Sequence, residues 1–323
     1  MKKIKILFMG TPEFSARCLS ALCDAGENVI GCVTGADRAR GRGMKLTPTP
    51  VKKLAEEKGI PVFQPNTLRG EDFAELLISL APDLIIVAAY GKILPKNVLE
   101  FPRFGCVNAH ASLLPKYRGA SPIQRAVMAG ERESGVCAMM MDEGLDTGDI
   151  ILREKIEILP EDTFGEVHDK LADAGGRAMV RVCRILEEGK ALPREKQDSA
   201  LSTYAEKITP EDLVIDFTKS AQDTVNMIRA FSPAPGARCA LPDGKILKIT
   251  RARAVDGDCG TAAAGEVVSL SKKFFTVACA SGLLEVTEVV PEGKGRMDAS
   301  AFINGRKIAV GDILQTPRPS EKA

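Results

Sequence analysis

The chain of 323 residues has two histidines, and one of them, His110, stands where chemistry is expected. It ends a short apolar run, with Asn108 two residues before it and the turn-forming Ser112-Leu113-Leu114-Pro115 after it. If the strand runs through both, Asn108 and His110 point to the same side. An imidazole can donate or accept a proton near neutrality, and an amide can donate hydrogen bonds to a developing oxyanion. An acidic partner is offered by the stretch 142–150, but Asp142, Asp146 and Asp149 could each simply cap a turn, and spacing alone does not choose among them. A lone histidine usually packs or faces solvent. The polar neighbour and the Pro- and Gly-punctuated loop favour a functional His110, whereas His168 lies inside a helical pattern and reads as structural.

The elements that would position these residues alternate. Apolar, β-branched runs at 3–9, 28–34, 83–89, 105–109 and 135–141 read as buried strands, with 150–158 a candidate for one more. Between them, 12–25, 50–58, 69–80 and 121–129 have helical spacing, with Pro12, Pro50 and Pro122 in first turns and Gly26, Gly59 and Gly130 as stops. A long helix over 163–188 would close the set. The class is α/β: a Rossmann-like domain with a mostly parallel sheet, in which sites form beyond the carboxyl ends of the strands. The stretch 189–212 is polar and reads as linker. After it, one helix at 220–230 and five short strands between 237 and 290 suggest a small, OB-like β-barrel. The expected division is a catalytic domain over 1–189, a linker over 190–208 and a C-terminal barrel over 209–315.

Composition narrows the class. Net charge is +1, so no global field marks a polyanionic partner. Nine scattered cysteines without a C-x-x-C pair predict reduced thiols in a reducing compartment, and no zinc or other metal site. The basic start followed by a short apolar run is not a signal peptide, and no apolar stretch approaches membrane-spanning length. A cytoplasmic monomer without a membrane partner is expected.

Several motifs carry a plain and a sharper reading. Gly10-Thr11-Pro12-Glu13-Phe14 sits where a nucleotide fingerprint would, but it is neither G-x-G-x-x-G nor a P-loop. It serves as a tight turn, with substrate contact by Phe14 the sharper alternative. Arg38, Arg40, Arg42, Lys45, Lys52 and Lys53 crowd a Gly- and Pro-containing loop. This is either a solvated face or a phosphate contact. The loop after the strand at 83–89 is either an ordinary connection or a backbone-lined pocket for a flat heterocycle.

The stretch N-x-H-x-S-L-L-P-x-Y-R-G-x-x-P-I-Q (108–124) and L-D-T-G-D (145–149) resemble the folate-dependent formyltransferases. F-M-G-T-P-E-F (8–14), G-R-G-x-K-L (41–46), V-A-A-Y-G-K-I-L-P (87–95) and S-P-I-Q-R (121–125) resemble its methionyl-tRNA formyltransferase branch, over residues 4 to about 315. The resemblance implies that Asn108, His110 and Asp146 are catalytic. It places 10-formyltetrahydrofolate, a co-substrate, at Ser112, Leu113, Leu114 and Pro115 and at the loop with Ala89, Tyr90 and Gly91. It brings Arg38, Arg40, Arg42 and Lys45 to the acceptor end of initiator methionyl-tRNA and the tRNA body to the barrel. Residues 209–323 hold 15 basic against 14 acidic residues, so binding there would need a local patch. Two rivals use the same trio: a hydrolase of the formyl-folate and a formyltransferase acting on a small amine. A third is an RNA-binding protein without activity.

Overall fold

The computed structural model describes residues 3–40 and 45–317, in two compact units. The first holds the chain up to Pro122 together with Glu133–Glu157 and His168–Ala205. The second holds Ile123–Arg132, Ile158–Val167 and the chain from Glu206 onward.

The first unit is built on a seven-stranded sheet. Its spatial order is Ile150–Glu157, Glu133–Met140, Cys106–His110, Leu84–Ala88, Ile6–Gly10, Val29–Val33 and Val62–Phe63. The central strands Ile6–Gly10 and Leu84–Ala88 are buried at every residue. That is why they read as unbroken apolar runs: a parallel sheet covered on both faces leaves no polar side. Leu7, Met9, Ile85 and Val87 pack on one face with Phe73, Leu77 and Val98. Five strands are parallel, but Glu133–Met140 runs antiparallel to Cys106–His110, and Ile150–Glu157 runs antiparallel to Glu133–Met140. The latter pair is joined by a nine-residue loop with no crossover helix, so the chain can only double back.

Helix starts follow the local signals. Thr49 Oγ1 accepts from the Lys52 backbone N–H at 3.1 Å and caps Pro50–Glu57, with Pro50 in the first turn. In the long helix Phe164–Glu187, glycines 175 and 176 have a packing reason. A Cβ at Gly176 would meet Ala21 Cβ at 2.6 Å, and one at Gly175 would meet Cys18 Sγ at 3.0 Å, so the helix Glu13–Asp24 comes close only because both are glycine.

The second unit has an antiparallel sheet ordered Ala237–Ala240, Ile246–Val255, Leu283–Pro291, Phe275–Ala278 and Val267–Leu270, with Met297–Asp298 paired to Leu283–Pro291. Residues 312–315 close it into a barrel: Gln315 bridges Ala240 at one edge strand, and Ile313 bridges Glu266 beside the other. Helix Ala221–Ala230 and the short helix Ala299–Asn304, which the sequence reading missed, supply Val225, Ile228 and Phe302 to a core with Phe217, Phe275 and Val286. Among the described residues no helix is long and apolar enough to cross a membrane.

Candidate active site

The strand Cys106–His110 runs to the carboxyl edge of the sheet and ends in the site. His110 is buried, and its two ring nitrogens face two acceptors. Nε2 lies 3.0 Å from the Tyr117 carbonyl oxygen, and Nδ1 lies 3.5 Å from Asp146 Oδ1. A neutral ring can serve only one of them by donation; a ring with hydrogen on both nitrogens serves both. Asn108 stands two residues earlier on the same face of the strand, and no protein group among the described residues hydrogen-bonds its side-chain amide. Its NH₂ donors are available for an oxygen that is not part of the protein.

Tertiary structure resolves the three aspartates. Asp142 accepts from Gly144 N–H at 3.0 Å and Thr147 Oγ1 at 2.7 Å, and so caps its own turn. The Asp149 carbonyl pairs with Met140 in the strand ladder. Asp146 alone faces the imidazole, and its second oxygen accepts from the Gly119 N–H at 2.9 Å. Two glycines make this possible. Gly148 passes so near the preceding strand that a Cβ would sit 1.7 Å from the Met140 carbonyl oxygen. Gly119, at φ +117°, has no room for a Cβ against the Ala205 carbonyl oxygen 2.8 Å away.

Among the described residues five non-glycine residues adopt positive φ, and three of them ring this site: Ala89 at 43°, Tyr117 at 60° and Asp146 at 53°. Such conformations cost energy and persist only where the surroundings over-determine them, which is common at functional sites. The other two, Ala81 and Arg306, sit just past helix ends, where a left-handed residue is ordinary.

A model of the formyl transferase family matches residues 2–183, and a model of the formyl transferase C-terminal domain matches residues 207–307. The chain belongs to the formyl transferase family. It is 48% identical to the methionyl-tRNA formyltransferase of Symbiobacterium thermophilum, over 99% of this chain and 98% of that one. It is 46% identical to that of Geotalea uraniireducens, over 97% and 99%. Among solved structures, the fold matches an N-formyltransferase from Helicobacter canadensis with a TM-score of 0.63 at 19% identity, covering 88% of this chain and 98% of that one. It also matches methionyl-tRNA formyltransferase from Clostridium thermocellum with a TM-score of 0.52 at 18% identity, covering 79% and 95%.

The residues expected at the folate of this family fall into two kinds. Ala89 is exposed and Gly91 has φ +78°, so this loop turns its backbone outward beyond Leu84–Ala88. Tyr90 points inward: its hydroxyl is buried without a hydrogen-bond partner among the described residues, and burial pushes its pKa up to about 12. Ser112 is fully buried and donates to the Lys116 carbonyl oxygen at 2.7 Å, so it shapes the turn. Leu114 packs with Met139 and Ile150, and its N–H donates to Cys137 Sγ at 3.3 Å. Leu113 and Pro115 are half-buried on the same turn. Phe14 is buried edge-on to His168, with ring centres 6.1 Å apart, which favours the packing reading for both.

The basic segment is a short hairpin rather than the open loop its Gly and Pro content suggests: Arg38–Arg40 pairs with Lys45–Thr47. Arg38 is exposed on it. Arg42 and the side chains of Arg40 and Lys45 lie outside the described residues. Lys52 turns back to Asp37 at 2.7 Å and Gln64 at 3.0 Å, and its ammonium holds the Asp37 carboxyl below the usual carboxylate range. That takes Lys52 out of the free basic set.

Sequence reasoning missed Gly119, Arg118 and Gln197 as parts of the site. Gln197 lies in the expected linker, yet the structure ties that stretch into the first unit. Glu195 bridges Ile150, and Tyr204–Ala205 pairs with Arg118–Gly119. A cleft of about 560 Å³ lined by Lys3, Lys5, Asp83 and Arg103 lies at the amino ends of the strands and shares no residue with the His110 site.

Proposed function

We propose that the chain transfers the formyl group of 10-formyltetrahydrofolate to the α-amino group of methionyl initiator tRNA, with Asn108, His110 and Asp146 carrying the chemistry. The observation behind this reading is the uncommitted Asn108 amide beside an imidazole that Asp146 holds.

The attacking amine must be neutral. A free α-amino group titrates near 7.7–8.0 and an esterified one lower, so no strong base is needed. Attack on the formyl carbon makes a C–N bond and a tetrahedral oxyanion. The Asn108 amide can donate to that oxygen, and so can a His110 N–H once it turns from the Tyr117 carbonyl; a well-placed donor lowers such a barrier by about 3–4 kcal/mol. Collapse breaks the bond to the folate nitrogen, which takes up a proton as the ammonium formed on attack gives one up. His110 and Asp146 lie where they can pass that proton, directly or through water. Backbone groups of Ala89 and Gly91 and the turn Ser112–Pro115 would hold the folate. Arg38, Arg40, Arg42 and Lys45 would approach the phosphates of the acceptor end, and the barrel would carry the tRNA body.

The test is an assay with 10-formyltetrahydrofolate and charged initiator tRNA, against free methionine and uncharged tRNA. N-formylmethionine is expected from the charged tRNA only. Release of formate without formylmethionine would establish the hydrolase instead.

A further inference from the structure

We propose that Gln197 is a positioning residue for the transfer reaction, locking Asp146 against His110 from a stretch whose sequence looks like a mere connection. The inference rests on the role given to Asp146 above.

The Gln197 amide is fully used. Its Nε2 donates to the Asp146 carbonyl oxygen at 2.9 Å and to the Gly148 carbonyl oxygen at 2.7 Å. Its Oε1 accepts from Arg118 Nε at 3.1 Å and Nη2 at 2.8 Å, and Arg118 is itself buried. One side chain thus grips the Asp146 loop at two carbonyls, while the Gly119 N–H, next along from Arg118, grips the Asp146 carboxylate. Asp146 has φ +53°, a conformation that a non-glycine residue leaves once its restraints are gone. Relaxation would swing the carboxylate away from Nδ1.

The backbone carrying Gln197 is anchored independently. Glu195 exchanges two backbone hydrogen bonds with Ile150 and forms a bidentate pair with Arg153 at 2.7 Å on both arms. On the other side, the Arg118 N–H donates to the Thr203 carbonyl oxygen at 2.9 Å, and Ala205 pairs with Gly119. Truncating Gln197 should therefore free the Asp146 loop without detaching the segment.

The test is a double-mutant cycle in the full chain: Gln197→Ala, Asp146→Ala and the double variant, assayed for formyl transfer to charged tRNA. Gln197→Ala is expected to lower kcat about tenfold, with KM for both substrates within about twofold and the melting temperature kept. The double variant should be no slower than Asp146→Ala, because a residue that acts through Asp146 has nothing to position once it is gone. With two histidines in the chain, ¹⁵N imidazole spectra give a second readout: the His110 signals should move in Gln197→Ala and those of His168 should not. If Gln197→Ala unfolds the protein, Gln197→Glu is used. It keeps an acceptor for Arg118 but removes the donor, and it should fold and lose rate.

Wild-type kcat in every folded Gln197 variant, with Asp146→Ala slow, would sink this inference alone. A further tenfold loss in the double variant would give Gln197 a role outside Asp146 and also overturn it. Wild-type turnover in Asp146→Ala would overturn the reading of the site, and the inference with it.

Discussion

Around His110 the first unit leaves an amide uncommitted, holds Ala89, Tyr117 and Asp146 at positive φ, and keeps polar groups poised at a strand end. In the second unit the barrel pairs both of its edges through residues 312–315, and its buried hydroxyls are satisfied: Ser232 Oγ donates to the Thr250 carbonyl oxygen at 2.8 Å, and Thr250 Oγ1 to Glu288 at 2.7 Å. The same chain treats polar groups in two ways. In the barrel, where packing is the task, the buried hydroxyls are matched within the protein. Around His110 a donor is left open and its neighbours are held in costly conformations, as the proposed reaction requires. Stability and activity should therefore come apart between the two regions.

The largest effect is expected in the barrel core. Phe275 is fully buried, its ring 6.3 Å from that of Phe302. Phe275→Ala should cost about 3–5 kcal/mol of stability, read by denaturant unfolding. A cost under about 1 kcal/mol would break the comparison, since a tightly packed interior cannot lose a ring so cheaply.

Asn108→Ala should do the reverse. Removing one oxyanion donor should lower kcat by about 10²–10³-fold, and because the amide makes no hydrogen bond among the described residues the melting temperature should hold. A variant that melts early at near-normal turnover would make Asn108 a structural residue.

A smaller effect sharpens the contrast through pH. In the second unit Arg125 pairs with Asp212 at 2.8 and 3.1 Å. Burial alone would push the Asp212 carboxyl up, but the bonds from Arg125 and Thr209 hold it below the ordinary carboxylate range. A depressed folded value contributes stability that is present above the unfolded carboxylate range, near pH 4, and lost as pH falls through the folded value. Asp212→Asn should cost about 1 kcal/mol at neutral pH and flatten the loss of stability below pH 4. Acid unfolding with an unchanged slope would show that the pair does not matter.

The legible parts of the sequence were those written in neighbouring residues. Alternating apolar runs and helical spacing located the sheet strands and main helices of both units, because burial on two faces or one stripe imposes a period that is visible locally. Asn108 and His110 fell on one face for the same reason: strand geometry places i and i+2 together. The two-residue strand Val62–Phe63, the basic hairpin and the helix Ala299–Asn304 escaped notice, being too short to show a period.

The site was less legible than the fold. From the residues alone three aspartates competed for His110. Only the course of the loop, bent by Gly144 and Gly148, turned Asp146 inward and left Asp142 to its own turn. Gln197 lies 51 residues from Asp146 and 79 from Arg118, in a polar stretch with no period, so nothing beside it marks its role. Barrel closure depends likewise on Ile313 and Gln315 meeting residues 47 and 75 positions earlier. Local sequence was enough for the main elements, their class and the strand end that carries Asn108 and His110, since these follow from local sterics and from burial. Tertiary structure decided which acid faces the imidazole, which distant amide holds it and how the sheet edges are covered. Those are hydrogen bonds between remote segments, made only once the core has brought the segments together.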